Sequence, residues 1–187
     1  MGQFEYLSVL VSIVIGLAIT QLLSGAARLI QLRHRVRPHA TTLCWMATLF
    51  VIDTQIWWAA FDRREARHWN FFGFLVFLAM PVLAYLASYL VLPELGDEDH
   101  PDLAASFDRN RPWFFGCLGA IAVVSLAEET LRTGAFPMDG DAVFRIAMAA
   151  LSLVAARVAN PRFQAINAFA MLAAMAAYIG TLFLQLR

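Results

Sequence analysis

Residues 71–92 read FFGFLVFLAMPVLAYLASYLVL, twenty-two positions without a charged side chain. A bilayer core about 30 Å thick is crossed by about 20 mostly apolar helical residues, so this stretch predicts a membrane span. Five more segments of the same kind flank it, at 5–30, 41–61, 112–131, 142–159 and 163–185. The predicted fold class is therefore all-α: a polytopic membrane protein, a six-transmembrane-helix bundle forming one integral domain over residues 1–187. The fifth segment is the shortest and its ends are the least sharply marked.

Composition agrees. Hydrophobic residues make up 60% of the 187 and charged residues 15%, against about 45–50% and 25% in an average soluble domain. The net charge is zero, which gives no basis for a nucleic-acid partner. All fourteen basic residues are Arg. Without Lys there is no P-loop, retinal Schiff base or pyridoxal site, and no cofactor is expected. Cys44 and Cys117 lie inside apolar segments, where Cys behaves as a small hydrophobe. The N-terminal run lacks a basic leader, carries Glu5 and stays apolar to about Ile30, so it reads as a retained span and not a cleaved signal.

Most connections are short, which predicts antiparallel neighbours. The exception is 93–111, PELGDEDHPDLAASFDRNR, an acidic connection with a short surface helix expected near 102–108. Arg28, Arg33, Arg35, Arg37, Arg109, Arg111, Arg157 and Arg162 fall on one side. Arg63, Arg64, Arg67, Arg132 and Arg187 fall on the other. The positive-inside rule then puts both termini outside the cytoplasm. The expected location is an integral membrane of the bacterial inner-membrane kind. The two halves of the chain share no motif that would mark an internal repeat.

Certain polar and small residues stand out against this background. In the first span Ser8, Ser12, Gly16, Thr20 and Ser24 recur every four residues and form one slowly drifting helical stripe. Such a stripe permits close helix packing within a protomer or at an oligomer interface, and a homo-oligomer is expected. Ala170, Ala173, Ala174, Ala177, Gly180 and Thr181 give the sixth span a similar face. Both helices are accordingly expected at the centre of the bundle.

Asp53 lies near the middle of the second span, where a carboxylate costs about 2.5–3.5 kcal/mol. An intramembrane acid is a functional candidate by default, with a structural ion pair as the plainer account. Glu128 and Glu129 can each pair with Arg132 on one helix face. Arg145 enters the fifth span by about one turn, to snorkel or to answer Asp53 or Glu128. In an up-down bundle Glu5, Asp53, Glu128, Glu129, Arg132 and Arg145 all fall in the same half of the bilayer. With Thr181, Gln185 and the loop FDRREARHW, they are candidates for a single charged cavity that handles a proton, ion or small solute. Gln21 would extend a polar path to the other side.

Other features read more plainly. Trp57, Trp58 and Trp69 fit an interfacial belt. Pro81, mid-span, predicts a structural kink, with a gating hinge second. Tyr85, Ser88 and Tyr89 line an interior or pack. His34, His39, His68 and His100 fall in loops or at borders, and DEDH at 97–100 reads as a solvated acidic loop. No metal or catalytic motif is visible. The functional reading is a small channel or transporter. The alternative is a sensor, accessory or scaffold protein whose cluster is structural or binds a small ligand; an intramembrane enzyme ranks last. Membrane lipids are expected partners in each case.

Overall fold

The computed structural model describes residues 3–61, 64, 70–92 and 102–182. Trp69, His68, His100, Arg63, Arg67, Arg187, Gln185 and the DEDH stretch lie outside the described residues, as does the side chain of Thr181. The described chain forms six α-helices: α1 Gln3–Gln31, α2 Ala40–Ala60, α3 Phe71–Val91, α4 Leu103–Thr133, α5 Gly140–Arg157 and α6 Pro161–Leu182.

Five of the six are long and apolar enough to cross a membrane; α5 is not among them. The reason is local. Its 18 residues include Asp141, Arg145 and Arg157, so no apolar run of span length fits inside it. The six-span expectation is thus met by composition at five helices.

Chain chemistry explains the helix ends. Asn70 caps α3 by accepting from the Gly73 amide at 2.7 Å, and Asp139 caps α5 by accepting from Ala142 at 2.9 Å. Each satisfies an amide with no intrahelical partner. Gly134 ends α4 with φ 74°, a left-handed conformation that glycine adopts without steric cost.

α4 is where expectation and structure differ most. The segment near 102–108 is not a separate surface helix but the first turns of α4. Asp102 caps it, accepting from the amides of Ala104 and Ala105 at 2.8 and 3.2 Å, and the helix continues through Pro112. Burial drives the extension, because Leu103, Ser106 and Phe107 are covered by the bundle.

The helices pack in two layers, α6–α2–α1 against α5–α4–α3. α3 ends short of its neighbours at the Arg-rich end. Asn110 reaches the Leu90 carbonyl at 3.2 Å from two turns inside α4. Gly25, well before the end of α1, faces Leu92 so closely that an added Cβ would stand 2.3 Å from its side chain. Beyond α3, the space fills with rings. Trp45, Phe107, Phe114 and Phe115 are fully buried, with centroids 5.0 to 6.3 Å apart in mostly edge-on contact. This aromatic plug closes the basic end of the bundle.

α1 and α6 are peripheral, contrary to the central placement expected from their small residues. α1 buries Val11, Ile15, Ala18 and Leu22, while Ser12, Gly16, Thr20 and Ser24 face outward and Ser8 is half-buried. On α6, Ala170, Ala173, Ala177 and Gly180 are exposed. Among membrane-spanning helices packing contacts decide which face turns inward, and Val11, Ile15 and Leu22 supply more of them than the serines and glycine of the stripe. Pro81 is buried in α3, which stays helical through it.

Candidate functional site

α5 and α6 run antiparallel and are clasped at both ends. At one end the Tyr178 hydroxyl donates to Asp141, and Tyr178 stacks on Phe144 with centroids 4.6 Å apart. At the other, the Gln164 amide donates to the carbonyls of Ala155 and Val158 at 2.9 and 2.6 Å. The pairs 141/178 and 155/164 are separated by the same number of residues on each helix. The two helices are therefore in register over about 21 Å.

Arg145 is the centre of the charged group at this end. Its guanidinium pairs with Asp141, one turn earlier on α5, and with Glu129 of α4 at 2.5 Å. It also reaches the Ser125 carbonyl at 3.5 Å. Arg132, mostly in the open, stands 3.7 Å from Glu129. Arg145 thus neither snorkels freely nor meets Asp53. It serves two carboxylates on two helices, and the three side chains are each less than one-fifth exposed.

Asp53 occupies a different place. It is completely buried (0% exposed) between α2 and α3, where the Ser88 hydroxyl donates to Oδ2 at 3.5 Å. Its Oδ1 has no hydrogen-bond partner among the described residues. Thr48, also buried, turns its hydroxyl to the Cys44 carbonyl and does not reach it. Glu128 is buried on α4, and Glu5 is exposed in the first turn of α1. The expected single cluster is thus divided: Glu129, Arg132 and Arg145 come together, whereas Asp53 and Glu5 stand apart from them. Trp57 is exposed and Trp58 half-buried at the same end of α2.

Between the layers, above the aromatic plug, lies a cavity of about 110 Å³ bounded by α2, α3, α4, α5 and α6. Arg145 and Tyr178 supply a guanidinium and a phenol on one side of it, and Gln55 and Ser125 add further neutral polar groups. The remaining wall is apolar, including Met80, Met148 and Met175 from three different helices. Asp53 is not on this wall, although its neighbours Ile52 and Ile56 are. No group of three or more His, Cys, Asp or Glu with metal-site geometry occurs among the described residues.

Asp141, Phe144 and Tyr178 were not singled out by the sequence. The spacing of Asp141 and Arg145, four apart at a helix start, was a usable signal. Tyr178 offered none beyond lying at the same end of the bundle. Comparison with protein families, curated proteins and solved structures gives no match to this chain.

Proposed function

We propose that this chain is a six-span integral membrane protein that binds a small molecule inside its bundle, as a membrane sensor or accessory protein. The observation that carries the reading is the cavity. It is mostly apolar, bears a paired guanidinium and a phenol on one rim, and is backed by a plug of packed rings. Largely preformed apolar pockets with a few convergent polar groups are the usual form of small-molecule sites. A single closed end suits a receptor better than a through-path.

The register of α5 with α6 supports the sixth span. An α-helix that matches a spanning neighbour level for level, with its charged groups paired at one end, crosses with it. Both termini then lie on one side, outside the cytoplasm by the Arg distribution, in an inner-membrane setting. The outward small-residue stripe of α1 (Ser12, Gly16, Thr20, Ser24) supports a homo-oligomer.

Native mass spectrometry of the purified protein tests the binding reading. Wild type is expected to carry a small-molecule adduct that a cavity-filling Met148→Trp variant of similar melting temperature loses. Absence of any adduct or added ligand in both would remove the reading.

Transport remains a second reading because Asp53 is buried mid-span with an unused oxygen. Ion and proton flux in liposomes decides it. Flux abolished in a folded Asp53→Asn variant supports a pathway through α2 and α3, and no wild-type flux across ions and pH gradients rejects it.

A further inference from the structure

We propose that the ligand of this cavity is an uncharged single-ring molecule with a hydrogen-bonding oxygen, phenolic or quinonoid, held between Gln55 and Ser125; this rests on the binding reading above.

Charge comes first. The Arg145 guanidinium is already committed to Glu129 and Asp141. Arg145 is the charged side chain on the cavity wall, so an anion would have to compete with the two carboxylates already on its guanidinium, and a cation would face the guanidinium itself. Inside a bundle, where water screens little, a like charge at contact distance is strongly unfavourable. The rim thus offers no uncompensated charge to an ion of either sign.

Hydrogen-bonding capacity is different. The Gln55 amide on α2 and the Ser125 hydroxyl on α4 both line the cavity. Neither side chain bonds to another described residue. Both are half-buried and neutral, offering donors and acceptors to a molecule in the cavity. A hydroxyl or carbonyl oxygen answers both.

Shape and softness set the rest. An engineered apolar cavity of about 150 Å³ takes benzene, so one of about 110 Å³ is on the scale of one small ring. Three thioethers, Met80, Met148 and Met175, converge from α3, α5 and α6. Thioether sulfur makes favourable contacts with aromatic rings. The stacked pair Phe144–Tyr178 stands at the same end and extends that aromatic-compatible wall.

The test uses the full chain in lipid nanodiscs and 4-fluorophenol, followed by fluorine NMR. Saturable binding is expected. A Gln55→Leu/Ser125→Ala variant with an unchanged melting temperature should weaken it about tenfold or more, the scale of one lost hydrogen bond. Met148→Trp should abolish it. Fluorobenzoate and fluorobenzylammonium, the same ring with a charge of either sign, should bind at least about tenfold more weakly. A decyl-tailed fluorophenol compared at equal membrane partitioning distinguishes the source. Tighter binding with the tail marks a lipid-dissolved ligand, and equal binding an aqueous one; either agrees with the proposal.

A charged probe that binds as well as the phenol, or an unaffected Gln55→Leu/Ser125→Ala variant, overturns the neutral-ring proposal and leaves the binding reading standing. So does a copurified adduct without binding of any probe. Absence of both adduct and probe binding overturns the two together.

Discussion

Replacing Arg145 by methionine leaves Glu129 with only the exposed Arg132 and Asp141 with no cation, both carboxylates still mostly buried. Breaking a buried pair in this way costs about 3–5 kcal/mol, and a large drop in melting temperature is expected. Adding Glu129→Gln and Asp141→Asn should recover most of it, because a fully neutral set carries no stranded charge. Asp53→Asn is expected to behave differently. The amide keeps the shape and can still meet Ser88, so unfolding measurements should show a change within about 1 kcal/mol. Asp53 and Arg145 were both legible as expensive residues from sequence alone. What pairs with what was not, since an α-helix places a charge at a depth but does not say which neighbour its face will meet. Arg145 meets Asp141 and Glu129, and Asp53 meets Ser88, because α3 and not α5 covers that side of α2.

At the level of the helices, the long α4 depends on its first turns holding. Asp102→Ala removes a cap with two amide contacts and should cost about 1 kcal/mol, seen as faster amide exchange over 103–107. Gly25 tests the short end of α3. Gly25→Leu drives a side chain into Leu92 and should cost about 1–3 kcal/mol. Leu92→Ala in the same chain should return part of that loss, a coupling read by a double-mutant cycle. Five helices were legible because apolar length survives any packing arrangement. The start of α4 was missed because Pro112 and the nearby charges resemble a boundary. Proline at that position removes one amide donor and crowds the carbonyl one turn back, yet the helix continues through it with Leu103, Ser106 and Phe107 buried on the far side.

For the molecule as a whole, the alternation of six helices predicts opposite exposure of its two rims. In a Cys44→Ala/Cys117→Ala background, Arg35→Cys should be protected from an impermeant thiol reagent in intact cells, and Gly140→Cys should react. The reverse pattern would invert the assigned orientation; Ala159→Cys, exposed just beyond α5, should be protected like Arg35→Cys, and labelling of it equal to that of Gly140→Cys would remove the sixth crossing. The outer faces of α1 and α6 show why sequence misplaced them. A small-residue stripe states that something may approach closely, without stating whether it belongs to the same chain.

The clasp between α5 and α6 also bears on the surrounding lipid. α5 has 18 residues and is about 27 Å long, whereas α4 beside it has 31 and extends about 46 Å. A hydrocarbon core of about 30 Å cannot match both. On the six-span reading, acyl chains beside α5 meet a shorter apolar surface than those beside α4, and the bilayer is expected to thin on that side. Reconstituted in short-chain phosphatidylcholine it should melt at a higher temperature than in long-chain lipid, and copies should drift together, thin flank to thin flank, as the bilayer thickens.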